Sequence, residues 1–344
     1  MTTELVVGVT LPITGSLAPQ GQEVLRGLEL WSRHAESRRG KDIRLCVLDD
    51  GSSARRARAN AEGLLKEGVD LLFGPYGGAA GRAVAKLALW GRLPIWNHSS
   101  SDDEVARRFV ITLPTRASKY LIGAIELAAG RGCSETLIVA SDTRFAATVA
   151  TGAERRAIAR GMRVSSLYIP PREWVARRSE IVSRVATVDL VLLCGALHDD
   201  IETVAALRDR GESNRSIAAV GAGVREFGRA LGPLAEGVIG PSQWEPEEAT
   251  VDVGPRSSTM VMGYRERYGR SPDYLAIQAW ACGALAEEAV DRVGPKPDDQ
   301  WTWASRFPGR TAYGDFRLDQ KGRQVGHELR LVEWDAAGNR HVLF

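Results

Sequence analysis

The chain has 344 residues, a hydrophobic fraction of 44% and a net charge of +2, with 45 Lys and Arg against 43 Asp and Glu. That length exceeds one ordinary compact domain and predicts two lobes. Basic residues interleaved with acidic ones exclude a nucleic-acid-binding stripe, and no run of about 18 apolar residues occurs, so no membrane insertion is expected.

The start, Met1-Thr2-Thr3-Glu4, lacks the apolar core of a signal peptide. Two expectations therefore stand: a cytosolic protein, or a mature form placed in the periplasm or at the cell surface. The first predicted element is a strand over residues 5–11. It runs into a loop rich in Gly, Pro, Ser and Thr, from Pro12 to Gly21, and then a helix over 22–37. Such a loop is expected to offer backbone N–H groups beside a helix N-terminus, where anions are favoured. A strand over 43–49 ends at Asp49-Asp50-Gly51-Ser52, and a helix rich in Ala, Arg and Leu covers 54–67. Leu71-Leu72-Phe73 forms a short buried strand before Gly74-Pro75-Tyr76-Gly77-Gly78-Ala79-Ala80-Gly81. A helix over 83–90 and a strand over 93–96 follow, ending in Asn97-His98-Ser99-Ser100-Ser101-Asp102-Asp103. Apolar strands interleaved with helices predict a parallel sheet covered on both faces.

A second set begins after Pro114. Helices are predicted over 118–129, 146–160, 174–187, 198–210 and 225–231, with strands over 136–140, 164–169, 190–194 and 217–220 and an extended segment over 237–243. Helices over 260–268 and 274–293 come next, the second with Leu275, Ala279, Cys282, Leu285, Ala286 and Ala289 on one face. The end, from Gly314 to Asn339, reads as antiparallel strands with turns.

Several chemistries are excluded by what the motifs lack. The glycine-rich run from Gly74 has no Gly-Lys-Ser/Thr ending, and Gly221-Ala222-Gly223 has no glycine three residues on. Neither is a nucleotide or dinucleotide fingerprint. GxSxG and HExxH are absent, and no second His stands at metal-ligand spacing from His98. No metal or cofactor is expected. Asp49-Asp50 and Asp199-Asp200 read as solvated caps rather than an acid–base pair. Cys46, Cys133, Cys194 and Cys282 form no CxxC pair and read as buried free thiols, with a disulfide as the alternative reading. Ser99-Ser100-Ser101 after a buried strand has two readings, a carboxylate-holding loop or an ordinary N-cap. His98 likewise reads as a local hydrogen-bonding residue or, at the carboxyl end of a parallel strand, as a ligand contact.

The order of Gly8 to Gly21, Asp49 to Ser52, Gly74-Pro75 through Gly81, Pro94 to Ser101 and the closing Gly314-Asp315-Phe316 with Asp319 and Gly322 resembles the type I periplasmic binding proteins. Within them it is similar to the branched-chain amino acid and amide receptors of ABC importers. The resemblance spans essentially the whole chain. It implies an α/β fold of two Rossmann-like lobes with parallel sheets flanked by helices, joined by three crossing strands. The lobes would be residues 4–116 with about 247–325, and 117–246 with about 326–344.

The resemblance also implies a ligand held between the lobes by hinge closure. Gln20, Tyr76, Gly77, Gly78, Asn97, His98, Ser99, Ser100 and Arg116 would serve from the first lobe. Phe145, Ala196, Leu197, Gly223 and Trp244 would serve from the second. Ser100 falls where such receptors carry a hydroxyl, Gly78 where a ligand-binding Ser is common, and Gln20 at an often aromatic position. Phe145 stands where a Tyr covers the ligand, Ala196 and Leu197 at another aromatic position, and Gly223 near where an acid pairs with an α-ammonium. Without that acid a buried ammonium costs several kcal/mol, and the apolar replacements suit an aromatic or aliphatic carboxylate or an amide. The implied partners are the small-molecule ligand and ABC permease subunits. Alternative readings are a ligand sensor of the same fold and an α/β enzyme acting in the cleft.

Overall fold

The computed structural model describes residues 4–40, 42–90, 93–211 and 216–344. In chain order the elements begin with β1 (Leu5–Leu11), α1 (Ala18–Arg39), β2 (Ile43–Asp49), α2 (Ala54–Glu67), β3 (Leu71–Phe73), α3 (Gly78–Ala85), β4 (Ile95–Asn97) and β5 (Val110–Thr112). Next come α4 (Ile122–Gly130), β6 (Glu135–Ser141), α5 (Arg144–Ala159), β7 (Arg163–Ile169), α6 (Arg178–Val185), β8 (Leu190–Cys194), α7 (Leu197–Asp209), β9 (Ser216–Ala219), α8 (Arg225–Leu231) and β10 (Val238–Ser242). The chain continues with α9 (Ser257–Tyr268), α10 (Tyr274–Val293), α11 (Pro297–Arg306) and the hairpin of β11 (Gly309–Thr311) and β12 (Gly314–Phe316), and closes with β13 (Arg330–Trp334) and β14 (Arg340–Val342).

These elements fall into two compact units, Met1–Arg116 with Pro246–Glu328, and Ala117–Glu245 with Leu329–Phe344. The chain passes from one unit to the other three times. The first unit holds a sheet in the order β2-β1-β3-β4-β5, with every pair parallel. The second holds β14-β13-β10-β9-β8-β6-β7, parallel from β10 to β7 and antiparallel at β13 and β14.

Alternation along the central strands of the second unit explains its two cores. Leu137, Val139, Val191 and Leu193 face the side packed by Ile181, Val204, Leu207 and Phe227. Ile138, Ala140, Leu190 and Leu192 face Ile125, Val149 and Ala153. Adjacent residues thus point to opposite faces, and because helices cover both, these central positions are all apolar. In the first unit Leu72, Ile95 and Val110 pack on Ala57, Leu64 and Val84. On the other side α1 crosses α10 so closely that a Cβ on Gly27 would lie 2.2 Å from the Ala276 carbonyl oxygen.

Some boundaries differ from the sequence expectations. Helix α1 starts four residues early because Pro19 in its first turn supplies the fixed φ a helix start accepts. The helix expected over 83–90 is α3 from Gly78, continued by a 3-10 stretch over Lys86–Trp90. The helix expected over 174–187 shrinks to α6, preceded by a 3-10 turn at Pro171–Glu173. All four cysteines are free; Cys194 and Cys282 are buried, but Cys46 and Cys133 are only half-buried. Cys46 sits on β2, the edge of its sheet, where one flank has no neighbouring strand. Among the described residues no helix is long and apolar enough to cross a membrane.

Candidate functional site

Parallel strands put their carboxyl ends along one edge, and ligands of open α/β sheets collect there. In the first unit the loop after β1 lies on this edge, but the N–H groups of Ile13, Thr14 and Leu17 are already used. The Asp49 carboxylate at the end of β2 accepts from the N–H groups of Ile13 (3.0 Å) and Thr14 (3.1 Å), the Thr14 hydroxyl (2.6 Å) and Gly51 N–H (2.8 Å). These donors, the Thr14 hydroxyl first, hold the Asp49 pKa down at about 2. The Ser52 hydroxyl accepts from Leu17 N–H at 3.0 Å. Part of the expected anion cradle is therefore filled from within by Asp49 and Ser52, and the Asp49-Asp50 pair is not a solvated cap: Asp50 is 1% exposed.

The loop after β4 is a built structure. Asn97 brackets Ser100, its Oδ1 accepting from Ser100 N–H at 2.9 Å and its Nδ2 donating to the Ser100 carbonyl at 2.8 Å. His98 is fully buried, with Nδ1 2.6 Å from the Ser99 hydroxyl and its ring tilted against Phe73. Desolvation by burial drives its pKa down to about 3, only partly offset by the Gly74 backbone. The ring is neutral at ordinary pH, so it cannot act as a cation toward a carboxylate. The Ser100 hydroxyl points under α3, where Gly81 makes room; a Cβ there would lie 2.5 Å from Oγ. At the start of α3, Gly78 admits Asp102, whose carboxylate pairs with Arg82. A Ser side chain at Gly78 would meet that carboxylate.

Six buried polar atoms on this edge have no hydrogen-bond partner among the described residues: Ser100 Oγ, His98 Nε2, Asp50 Oδ2, Thr112 Oγ1, Arg116 Nε and Gln20 Oε1. Arg116 is also 3.8 Å from Asp103 across an ion pair. Thr112 ends β5 and Gln20 lies in the first turn of α1. A buried polar atom without a partner costs roughly 1–3 kcal/mol, so such a group asks for an explanation. Tyr76 and Gly77 are half-buried on the loop between β3 and α3, and Gly77 takes a φ of +90° as it enters the helix.

In the second unit the same edge carries Ser141, the last residue of β6, buried and with its hydroxyl unpartnered among the described residues. Thr143 caps α5 by accepting from Ala146 N–H at 3.3 Å. That cap leaves Phe145 on the first turn, 42% exposed, edge-on to Tyr120 with centroids 5.6 Å apart. Ala196 is exposed and Leu197 half-buried at the start of α7. Trp244 is buried, its carbonyl accepting from the Ser242 hydroxyl at 3.1 Å. Gly223 has no room for a side chain, since a Cβ would lie 1.8 Å from the Pro241 carbonyl oxygen.

Asp199 and Asp200 are not solvated caps: they are 2% and 0% exposed. Asp199 accepts from Ala196 N–H at 3.2 Å, and Asp200 from Gly195 and Gly221 N–H groups. Each unit thus gathers its own candidates along one sheet edge. Gly223 offers backbone only, and the buried His98 ring keeps its Nε2 without a partner among the described residues. Ser141 and Thr112 join the set, although a hydroxyl at a strand end carries no distinctive sequence signal. Among the described residues no group of three His, Cys, Asp or Glu side chains is placed to hold a metal.

The profile of the periplasmic binding protein family matches residues 4–339, and the chain belongs to that family. It is 21% identical over 342 residues to Leu/Ile/Val-binding protein homolog 2 of Brucella abortus, covering 96% of this chain and 90% of the relative. A leucine-binding protein from Thermotoga maritima superposes with a TM-score of 0.83 at 19% identity, covering 99% of this chain and 98% of the other. An ABC-transporter solute-binding protein from R. palustris, solved with benzoate, gives a TM-score of 0.81 at 21% identity, with 99% and 96% coverage. The two-unit α/β architecture is the type I periplasmic binding protein fold.

Proposed function

We propose that this member of the periplasmic binding protein family is the solute-binding receptor of an ABC importer, working in the periplasm or at the cell surface. It captures a small carboxylate or amide with the strand-end loops of both units, which close on the guest by hinge motion and release it unchanged to permease subunits. The single observation that carries this reading is that Ser100 Oγ, Thr112 Oγ1, Arg116 Nε and Gln20 Oε1 are among the buried polar atoms left without partners, among the described residues, on the first unit's strand-end edge. These are two hydroxyls, a guanidinium N–H and an amide oxygen. Together they supply donors for a carboxylate or carbonyl and one acceptor for an N–H.

The ligand class follows from the second unit. Phe145 offers an exposed ring, Leu197 an apolar side chain, and Gly223 leaves no carboxylate to pair an α-ammonium. An aromatic or aliphatic carboxylate or an amide fits this better than a plain α-amino acid. The benzoate bound to the R. palustris neighbour supports an aryl acid as the first probe.

A thermal-shift screen over aliphatic amino acids, aryl acids, amides and ureas tests the reading. A ligand at 100 times its Kd stabilises the folded state by about 2.7 kcal/mol and raises the melting temperature. Shifts with aryl acids or amides are expected. A shift confined to leucine or valine overturns the ligand class, and a flat screen overturns the receptor reading.

A further inference from the structure

The loops after β8 and β9 are tied to each other by one side chain. Asp200, on the first turn of α7, accepts from Gly195 N–H through Oδ1 at 2.8 Å and from Gly221 N–H through Oδ2 at 3.0 Å. Gly195 precedes Ala196 and Leu197, and Gly221 lies two residues before Gly223. Both glycines are shaped to admit the carboxylate: a Cβ on Gly195 would lie 2.8 Å from Oδ1, and one on Gly221 3.2 Å from Oδ2. The carboxylate is fully buried, with no cation paired to it among the described residues. Two backbone donors from two different loops are its whole hydrogen-bonding environment there.

We propose that Asp200 is a proton-controlled latch, which as a carboxylate holds the loops after β8 and β9 in register for ligand capture and on protonation lets one of them go. The ligand half of this statement rests on the reading of these loops given under Proposed function; the latch itself does not. The chemistry is simple. An ionised carboxylate has an acceptor for each N–H. A proton taken from solvent turns one oxygen into a donor facing an N–H, and only one of the two bonds survives.

The surroundings put this change near neutral pH. Burial raises the Asp200 pKa to about 7, opposed by the Gly221 and Gly195 N–H groups and assisted by the neighbouring Asp199 charge. The other groups in reach are few. The Cys194 thiol on β8 faces the carboxylate and is itself pushed up by burial. On α7, Asp199 pairs with His198 (Nε2 to Oδ1, 3.1 Å). Arg178 of α6 pairs with Glu202 rather than Asp200. Arg225 and Glu226 of α8 are exposed, and the 3-10 turn Val220–Gly223 carries no titratable side chain.

The test uses the full chain labelled with 15N-glycine. The amide signals of Gly195 and Gly221 should titrate together with one midpoint near pH 7. In Asp200→Asn neither should move, whereas Asp199→Asn, which leaves the latch in place, should keep the paired titration. Should Asp200→Asn fail to fold, the wild-type and Asp199→Asn titrations decide alone. Calorimetry with benzoate should show affinity falling about tenfold from pH 8 to pH 6, because the competent fraction falls by that factor, and a pH-independent, weaker affinity in Asp200→Asn. Signals that stay still or titrate with separate midpoints overturn the latch, as does pH dependence that persists in Asp200→Asn. Absence of benzoate binding at every pH counts against the ligand reading, and the amide signals then judge the latch.

Discussion

Replacing Asp200 with Asn should change how the stability of the second unit depends on pH. The native carboxyl holds its proton up to about pH 7, against an ordinary value of 3.8, chiefly because burial disfavours its charge. The unfolded chain loses that proton near pH 4. Between these values unfolding releases a proton, so stability falls as pH rises, and this contribution is fully present only below about pH 4. The gap is about 3 units, and each unit is worth about 1.4 kcal/mol, so the wild type should lose about 4 kcal/mol relative to Asp200→Asn between pH 4 and pH 8. Asn removes the titration while keeping size and one acceptor, so every other group cancels in the difference. Urea unfolding followed by tryptophan emission at a series of pH values reads it, since Trp174 and Trp334 lie in the same core cluster. A wild-type-minus-variant difference that stays constant across that range refutes the reasoning.

Other substitutions separate stability from binding. Ser100→Ala should leave the free protein as stable or slightly more so, because the hydroxyl it removes is buried without a partner among the described residues; ligand affinity should drop by about 1 kcal/mol in calorimetry. Phe145→Ala should barely alter the melting temperature, since the ring is 42% exposed, yet cost more affinity than Ser100→Ala. Gly152→Ala should destabilise by about 1–3 kcal/mol in thermal unfolding, because its Cβ would lie 1.9 Å from the Ser118 carbonyl oxygen and the helix must shift.

The architecture was readable in the residues because period and punctuation agreed. Helix α2 runs from Ala54 to Glu67 as expected because Ser53 caps it and Gly68 ends it in the left-handed region. Helix α10 matches because its apolar face repeats at helical spacing from the Asp273 cap to Gly294. The start of α3 was hidden because Gly77, Gly78 and Gly81 look like a loop, while the lack of side chains at Gly78 and Gly81 makes room for Asp102 and Ser100 packed against the helix. Strand β5 is only three residues long and escaped notice. Helix α11 also escaped, although Pro297 with Asp298 and Asp299 is an N-terminal signature.

The site was less legible than the fold. The stretches Tyr76 to Gly78 and Asn97 to Ser100 lie on loops at a strand-end edge, but only the folded chain shows that Gly223 has no room for a side chain and that His98 Nε2 and the Ser100 hydroxyl are buried without partners among the described residues. Asp199 and Asp200 looked like caps because two acids before a helix usually are. Only the folded loops bring Gly195 and Gly221 to the same carboxylate.

A calorimetric titration of the full chain, with aryl acids and amides as titrants and mass spectrometry of the recovered ligand, tests the central claim most directly. Saturable binding of one ligand per chain is expected, with a negative heat-capacity change from buried apolar surface and a ligand of unaltered mass. Recovery of a chemically changed product, or no heat with any of these compounds, would contradict it.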